Sequence, residues 1–374
     1  MWPTRAETVR LTAGGPQRAW DLDAPAALTA GRDADCEIRA PADDRRVSRH
    51  HCVFTADPPA ITVRDLGSRN GTYVNGARID SAVRLADGDE VRIGGMTVHV
   101  FVSGGLIGDY LVVRELGRGA QGVVYLARHR DSGGEVALKV LRGVRPESVH
   151  GFLREIRTCR GLSHPHLVGF KGAGADGKRF FLASEYCDGG SLAQWEGSTD
   201  AGEAVRIIGE ALEGLDHMHT GTAEPLVHRD LSPRNILLTG PQSTAKIADF
   251  GLAKAYERAG LSGYTDTGAL GGGVEFMPRS QVVNYKYATP PVDVWAAAAC
   301  LYWLLTRATP RDFPPGTDPV AVVLREPAAP IRERASGLPP RLAKLIDTVL
   351  ADEDPRPERA MSAREFGRAL KEAL

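Results

Sequence analysis

The first hundred residues alternate between short apolar runs and polar turns. The runs are rich in β-branched and aromatic residues, and Gly, Asp, Asn or Pro separates them. They are Glu37–Ala40, His51–Ala56, Ala60–Leu66, Val91–Gly95 and Met96–Val102. Several short strands with regular turn signals predict a β-sandwich. We therefore assign residues 1–103 to an all-β domain.

A short glycine-containing joint at residues 104–109 separates this domain from a mixed pattern. Strands are predicted at Val123–Ala127 and Val136–Lys139, and apolar residues recur at helical spacing within Glu147–Gly161. Two apolar stretches at Arg179–Cys187 then lead into a connector. The pattern to residue 187 predicts a small sheet with one helix.

Helical periodicity dominates residues 188–374. Val205–His219 has the spacing of an amphipathic helix, and Val292–Leu305 is strongly apolar apart from Asp293. Ser362–Glu365 matches a capping box, and Phe366, Leu370 and Ala373 would line one face of the helix that follows. The chain is therefore predicted to be multidomain, with an all-β part followed by an α+β part.

Composition and charge limit which classes of partner the chain can be expected to bind. The chain has 374 residues, enough for two or three domains, and its 46 Lys and Arg balance its 47 Asp and Glu. This balance gives no sign of a nucleic-acid partner. No apolar run reaches the ~18 residues of a membrane span, and the start lacks the apolar core of a signal peptide. We expect a cytoplasmic protein with no membrane span.

The five cysteines are scattered, with no C-x-x-C pair. They are Cys36, Cys52, Cys159, Cys187 and Cys300. We expect them to be reduced and mostly packing residues, and the spacing argues against a zinc site.

Three polar clusters lie in the loops of the β domain: Gly31–Arg32, Ser48–His51 and Ser68–Thr72. Each cluster alone is typical of a turn. Together they offer what a dianionic phosphate needs, which is a bidentate arginine, a hydroxyl donor and an amide donor.

The ordered set G-R, S-R-x-H and S-x-N-G-T resembles the forkhead-associated (FHA) domain, which reads phosphothreonine. The resemblance implies that phosphothreonine is bound by Arg32, Ser48, Arg49 and Asn70. It also implies that His51 braces a loop and that Gly71 serves a backbone turn.

The glycines of the second part, Gly117, Gly119 and Gly122, precede a strand rather than a helix. They therefore predict a hairpin that can close over phosphates, and not a dinucleotide-binding fold. Lys139 on a buried strand would be costly without a partner, and Glu155 on the predicted helix is the natural one.

A site for phosphoryl transfer is indicated by Val227–Leu238. Asp230 can accept a hydroxyl proton, and Asn235 can hold a metal ion. Downstream, Asp249 begins an Asp-Phe-Gly triplet and offers a carboxylate that bridges Mg²⁺ to phosphates.

Residues 110–374 resemble a eukaryotic-type protein kinase domain of the kind bacteria also use. The resemblance implies a bilobal α+β fold, with a small lobe and hinge at 110–187 and a large lobe at 188–374. It implies transfer of the γ-phosphate of ATP to Ser or Thr hydroxyls of proteins, with Mg²⁺ or Mn²⁺.

Roles carry over by position. Asp230 would be the catalytic base, Asn235 and Asp249 the metal ligands, and Lys139 the contact to the α- and β-phosphates, positioned by Glu155. The nucleotide would be contacted by Leu116, Gly117, Gly119, Gly122, Val124, Ala137, Lys139, Glu185, Cys187 and Leu237.

Three positions depart from the family pattern. Ser232 replaces the Lys typical of serine/threonine kinases, Gly273 replaces a Thr, and Ser280 replaces the Glu of the Ala-Pro-Glu triplet. We expect Arg234 to supply the charge of the missing Lys, and Arg359 is the expected partner for the position of the missing Glu. We also expect phosphorylation of Thr265 or Thr267, which would pair with Arg229; the alternative is that both are ordinary turn residues.

Three functions remain open at this point. The first is a protein kinase whose FHA domain binds phosphothreonine proteins, or its own phosphorylated activation loop through self-association. The second is a pseudokinase that scaffolds phosphothreonine proteins, and the third is a small-molecule kinase.

Overall fold

The computed structural model describes residues 8–13, 18–22, 24–58, 60–102, 106–119, 122–141, 161–176, 179–196, 200–222, 224–241, 243–250, 273–351 and 360–374. The chain divides into two compact units. The first unit comprises Met1–Arg142 and Gly174–Ala183. The second comprises Gly143–Ala173 and Ser184–Leu374.

Eleven strands open the first unit: β1 Val9–Ala13, β2 Ala19–Leu22, β3 Ala26–Gly31, β4 Ile38–Arg39, β5 Cys52–Asp57, β6 Ala60–Asp65, β7 Thr72–Val74, β8 Ala77–Arg78, β9 Val83–Leu85, β10 Glu90–Ile93 and β11 Met96–Val102. They form two sheets, ordered β2-β1-β11-β10-β7-β8 and β4-β3-β5-β6-β9. Only the β3–β4 pair among these described strands is parallel. The predicted β-sandwich is confirmed.

Alternation along the strands places the core between these two sheets. In β1 and β5, buried residues alternate with more exposed ones, as a half-buried strand requires. Leu11, Phe54, Ile61, Val91 and Val98 are fully buried in this core.

A third sheet contains β12 Leu106–Ile107, β13 Tyr110–Gly119, β14 Gly122–His129, β15 Glu135–Leu141, β16 Phe170–Asp176 and β17 Arg179–Glu185. Its order is β12-β13-β14-β15-β17-β16. The β13–β14 hairpin closes at the pair Gly119 and Gly122, and β13 carries two register irregularities before it. The glycine-rich segment is therefore a hairpin, as predicted.

Within the first unit, an apolar core joins the sandwich to the third sheet. Phe101 at the end of β11 stacks on Tyr125 of β14, with ring centroids 5.8 Å apart. Tyr110 meets Phe181 edge-on at 5.7 Å. Burial and the adjacent Asp87 carboxylate, which shares a hydrogen bond with the Tyr125 hydroxyl, raise the pKa of Tyr125. Phe101 and Asp87 of the sandwich therefore both contact the sheet through Tyr125.

The second unit is mostly helical in its described part. Its helices are α1 Ala201–Thr220, α2 Arg279–Val283, α3 Pro291–Thr306, α4 Pro319–Arg325, α5 Ile331–Arg334, α6 Pro340–Leu350 and α7 Ala363–Ala373. A two-stranded sheet, β18 Ile236–Thr239 and β19 Thr244–Ile247, lies against α1. None of the helices in the described ranges is long and apolar enough to cross a bilayer.

Local sequence signals explain where these helices begin and end. The Asp200 side chain accepts the Glu203 N–H at 2.8 Å and caps α1. Ser362 and Glu365 form both hydrogen bonds of the predicted capping box at the start of α7. At the end of α3, Arg307 adopts a left-handed conformation with φ of 57°. Buried faces of α1, α3, α6 and α7 build one core.

The shared core of the first unit predicts a stability effect for Phe101. Phe101→Ala should destabilise the first unit by about 3–5 kcal/mol, because a buried aromatic is replaced by a cavity. Urea denaturation followed by tyrosine and tryptophan fluorescence measures this. Tyr287→Ala, at a site 69% exposed, is the matched control. Equal denaturation midpoints for Phe101→Ala and the parent would contradict a shared core.

Candidate functional site

The three predicted phosphate-binding loops meet at one end of the sandwich. The Arg32 N–H donates to the Ser48 carbonyl at 3.1 Å, and the Arg69 N–H donates to the Ser48 hydroxyl oxygen at 3.1 Å. The Asn70 side-chain amide donates to the Arg46 carbonyl at 2.8 Å. These bonds join loops that are far apart in sequence. The side chains of Arg49 and Asn70 are exposed, and those of Arg32 and Ser48 are half-buried, so all four remain accessible.

The buried His51 ring joins the loop of Ser48 to the loop of Gly71. Its ring is fully buried, its Nδ1 accepts the Ser48 N–H at 3.1 Å, and its Nε2 lies 3.1 Å from the Gly71 carbonyl. Because Nδ1 accepts, Nε2 carries the proton and donates to Gly71. The prediction that His51 braces a loop is confirmed.

Asp65 organises the third loop, and the sequence analysis missed it. Its carboxylate accepts the Gly67 and Ser68 N–H groups, each at 2.8 Å, and the Ser68 and Thr72 hydroxyls, each at 2.6 Å. Burial pushes the pKa of Asp65 upward, but the hydrogen bonds from Ser68, Thr72 and Gly67 outweigh it and leave the pKa lowered. An Asp placed just before a Ser-x-Asn-Gly turn is the signal that could have found it.

Gly31 is required by packing at the first loop. A Cβ at this position would lie 1.9 Å from the Arg49 carbonyl oxygen, so any side chain would push the first two loops apart. Gly71 has a positive φ of 78°, which matches its predicted role in a backbone turn.

In the second unit, one buried carboxylate shapes the loop around Asp230. Asp293 of α3 is 1% exposed and accepts the N–H groups of His228 and Arg229 at 2.8 and 2.9 Å. The His219 ring nitrogen lies 2.8 Å from the same carboxylate. Arg229 takes a left-handed conformation with φ of 66° at this point. Asp293 therefore fixes the backbone of the loop that carries Asp230.

The predicted catalytic base and metal ligands lie together on this framework. The Asn235 side-chain amide donates to the Asp230 carbonyl at 2.6 Å and lies 3.4 Å from the Asp230 carboxylate. The Ala248 N–H, next to Asp249, donates to the Asn235 carbonyl at 2.8 Å. His228 lies between these segments, with its Nε2 2.9 Å from the Ala248 carbonyl. The structure therefore brings Asp230, Asn235 and the Asp249 segment to one place.

At the connector, Glu185 is held by a lysine that the sequence analysis passed over. Lys246 forms an ion pair with Glu185 at 2.9 Å, and the Gly169 N–H donates to the same carboxylate at 3.0 Å. The backbone of Glu185 also donates to Gly169 at 2.7 Å. Burial raises the pKa of Cys187 to about 12, so its thiol stays protonated and packs as an apolar group.

In the first unit, the predicted nucleotide residues form rows across β13, β14 and β15. Val124 pairs with Gly117 on one side and with Lys139 on the other. A Cβ at Gly117 or Gly119 would meet no atom within 4 Å, so protein packing does not require these glycines. Gly122 is different, since its Cβ would lie 2.0 Å from the Val140 carbonyl. The open backbone at Gly117 and Gly119 leaves room for close approach of a phosphate.

The remaining predicted nucleotide residues outside the connector lie on strands, but only Ala137 falls in a strand that the sequence predicted. Leu116 lies on β13, Ala137 on β15 and Leu237 on β18. Glu155, Thr265, Thr267 and Arg359 lie outside the described residues.

A protein kinase domain family model matches residues 110–364. The chain belongs to the protein kinase family. An FHA domain family model matches residues 28–94, so this kinase carries an FHA domain within its β-sandwich.

Relatives and solved structures agree with this assignment. The serine/threonine-protein kinase PknJ of Mycobacterium tuberculosis is 31% identical over 297 residues, which cover 74% of this chain and 47% of PknJ. Pkn1 of Myxococcus xanthus is 33% identical over 276 residues, covering 71% of this chain and 38% of Pkn1. The chain thus spans about half the length, or less, of these relatives.

Two solved structures share the fold. One is a crystal structure of Rad53 1-466 in complex with AMP-PNP. The match covers 97% of this chain and 99% of the Rad53 chain, with a TM-score of 0.56 and 21% identity. A variant of the Mycobacterium tuberculosis PknI kinase domain covers 72% of this chain and 98% of that one, with a TM-score of 0.55 and 26% identity.

Two of the three departures from the family pattern lie near Asp230: Ser232 is two residues after it, and Gly273 is next to its carboxylate. A Cβ at Gly273 would lie 2.8 Å from an Asp230 carboxylate oxygen. Any larger residue at 273 would therefore force the Asp230 side chain or the backbone to shift. Ser232 is buried, with its carbonyl accepting the Asn235 N–H at 2.9 Å. Arg234 is exposed at the edge of the loop.

Two residues that the sequence analysis missed anchor the segment around Ser280. The Gln281 side-chain amide is buried and donates to the Arg229 carbonyl at 2.6 Å. Arg311 is 1% exposed, donates to the carbonyls of Met277 and Glu326, and lies over the Trp295 ring. Neither carries a recognisable motif, since both act through distant backbone carbonyls.

The donor groups present fit ATP and Mg²⁺. Asn235 anchors its amide nitrogen on Asp230, which leaves its oxygen to serve as an acceptor for a cation, and Asp249 adds a carboxylate. Proteins usually hold Mg²⁺ through one or two side-chain oxygens, and phosphate oxygens of the nucleotide complete the coordination.

The Asp293 network predicts a coupled loss of stability and activity. Asp293→Asn replaces one acceptor oxygen by an amide that faces an N–H donor, so it should cost about 1–3 kcal/mol and displace Asp230. Chemical denaturation and phosphate transfer measure the two effects. Asp312→Asn, at a carboxylate 82% exposed, is the matched control. Unchanged transfer in Asp293→Asn would contradict the role of this network.

Proposed function

We propose that this protein is an active ATP-dependent serine/threonine protein kinase whose FHA domain binds phosphothreonine. The observation that supports the activity is the loop held by Asp293, which carries Asp230 and Asn235 beside the Asp249 segment. Positioning and charge neutralisation are the main demands of phosphoryl transfer, and this framework supplies the positioning.

In the proposed reaction, Asp230 orients the substrate hydroxyl and accepts its proton. Asn235 and Asp249 would hold Mg²⁺, and Lys139 would contact the α- and β-phosphates of the nucleotide. Bound Mg-ATP supplies the transferable phosphoryl group and part of the neutralising charge. The backbone of Glu185 and Cys187 would hold the adenine, since the Glu185 side chain is engaged with Lys246.

Ser232 stands where serine/threonine kinases usually have a lysine, and Arg234 is proposed to supply the positive charge of that missing lysine. Ser232 is buried, whereas Arg234 is exposed and adjacent to Asn235. A guanidinium can bind phosphate oxygens through two donors. It can therefore stabilise the charge of the transferred group from the edge of the loop.

The FHA domain is proposed to read phosphothreonine through Arg32, Ser48, Arg49 and Asn70. Autophosphorylated Thr265 or Thr267 is one source of that ligand, and phosphorylated partner proteins are the other. The first source would bring two copies of the chain together.

Phosphosite mapping tests the proposed activity and the proposed reading of its own product. The purified chain is incubated with Mg-ATP beside Asp249→Asn and Arg32→Ala. We expect phosphate on Thr265 or Thr267 in the parent and none in Asp249→Asn. Arg32→Ala should keep the activity but change its rate or site pattern. Identical kinetics and sites in Arg32→Ala would contradict autoregulation by the FHA domain.

Turnover with varied acceptors tests the proposed role of Arg234. Arg234→Ala should lower the phosphate transfer rate roughly 100-fold, because a preorganised charge at the reacting phosphate is lost. Arg234→Lys should recover part of the rate, and the exposed Arg325→Ala is the matched control. Unchanged turnover in Arg234→Ala would contradict this role.

Ser232, Gly273 and Ser280 are the features that favour a phosphothreonine-binding scaffold instead. Absence of transfer in every variant, even after treatment with an active kinase, would favour that alternative. Transfer to a small molecule but to no protein acceptor would favour a small-molecule kinase.

A further inference from the structure

Two loops of the sandwich place a sulfur, an imidazole and a carboxylate together. Asp35 and Cys36 follow β3, and His50 precedes β5. One ligand atom from each lies within 4.8 Å of the other two. The His50 Nε2 is 3.0 Å from both Asp35 carboxylate oxygens, and the Cys36 sulfur is 3.9 Å from one of them.

These separations approach those of a zinc ion with tetrahedral ligands. Zinc–ligand bonds of roughly 2.0 Å to nitrogen and oxygen and 2.3 Å to sulfur imply ligand separations of about 3.3–3.5 Å. The observed 3.0 and 3.9 Å bracket that range, and the Cys36 sulfur and a ring nitrogen of His50 lie within 4.8 Å of each other. Rotation of these side chains would bring the three ligand atoms around one ion. The mixture of thiolate, imidazole and carboxylate suits zinc better than Mg²⁺ or Ca²⁺, which prefer oxygen ligands.

The surroundings of Cys36 also fit a cation. The carboxylates of Asp35, Asp33 and Glu37 lie near the Cys36 sulfur, so the local charge is negative. The thiol donates to the Arg49 carbonyl at 3.3 Å. If a metal replaced that proton, the Arg49 carbonyl would still accept the Asp33 N–H at 3.2 Å. Deprotonation of Cys36 therefore leaves the backbone contact satisfied.

We propose that Asp35, Cys36 and His50 form a zinc site that ties together the two loops carrying Arg32, Ser48 and Arg49. Its three protein ligands leave a fourth position for water. Bound zinc would fix the spacing of the phosphate-binding residues before a ligand arrives, and so raise affinity for phosphothreonine. This second part rests on the proposed function of the FHA domain. The sequence argued against zinc because it contains no paired cysteines, whereas here the ligands come from two loops.

Cobalt binding to the full chain tests the site without any phosphopeptide. The chelator-treated protein is titrated with Co²⁺, whose thiolate charge-transfer absorbance reports a cysteine ligand, and Zn²⁺ is then added to compete. We expect one equivalent of Co²⁺ with this absorbance, displaced by zinc. Cys36→Ser should abolish the absorbance, His50→Gln should weaken binding, and His129→Gln should behave as the parent.

Absence of the absorbance in the parent would overturn the site. Its persistence in both Cys36→Ser and His50→Gln would overturn the assignment of these ligands. His50 is 47% exposed, so His50→Gln keeps the test valid if Cys36→Ser fails to fold.

Phosphopeptide binding then tests the coupling. Anisotropy of a labelled degenerate phosphothreonine peptide pool is measured with and without zinc, beside the unphosphorylated pool. We expect several-fold tighter binding with zinc in the parent and no zinc effect in Cys36→Ser. Equal affinity with and without zinc in the parent would overturn the coupling. No binding of the phosphorylated pool in either condition would instead contradict the proposed FHA function, and the cobalt result would still decide the metal site.

Discussion

The loop that carries Asp230 and Asn235 depends on one buried carboxylate, Asp293, which bonds to the loop backbone. Asp293 accepts two successive N–H groups, from His228 and Arg229, and a third contact comes from His219. Without these acceptors the two N–H groups would be buried and unpaired, at a cost of about 1–3 kcal/mol each. The carboxylate therefore selects a backbone with Arg229 left-handed, and that backbone sets where Asp230 and Asn235 lie.

The three sandwich loops that we propose bind phosphate depend on buried or half-buried side chains in the same way. His51 and Asp65 bond mainly to loop backbone and hydroxyl groups, and the accessible residues Arg32, Ser48 and Asn70 take their places around them. Loop backbone cannot satisfy its own hydrogen bonds as a strand does, so side chains supply the missing partners. In each unit, buried or half-buried side chains hold the backbone of the loops, and the residues proposed to bind the ligand lie on those loops.

Much of the fold could be predicted from the sequence because its signals are local. Strand alternation predicted the sandwich, glycines followed by a strand predicted the β13–β14 hairpin, and a capping box predicted the start of α7. The site residues were placed by motifs, which fix residue types at short spacing. Asp65, Lys246, Gln281 and Arg311 were missed because each acts through a partner that only the fold brings near.

The joint between the two domains shows the same limit of local signals. Its glycines predicted a separator between domains, but Leu106 and Ile107 form β12 at the edge of the third sheet. Phe101, just before the joint, packs on Tyr125 of that sheet. Apolar residues on either side of a short joint can share a core, and spacing along the chain does not reveal this. The FHA domain and the sheet that carries the glycine-rich hairpin are consequently one packed unit.

The central claim is that this chain transfers phosphate through Asp230. The most direct measurement is the steady-state rate of phosphate transfer from Mg-ATP to a generic protein acceptor, for the parent and for Asp230→Asn. The account predicts measurable turnover in the parent and a loss of roughly 100-fold or more in Asp230→Asn, because the general base is removed. Equal rates for the two proteins would contradict it.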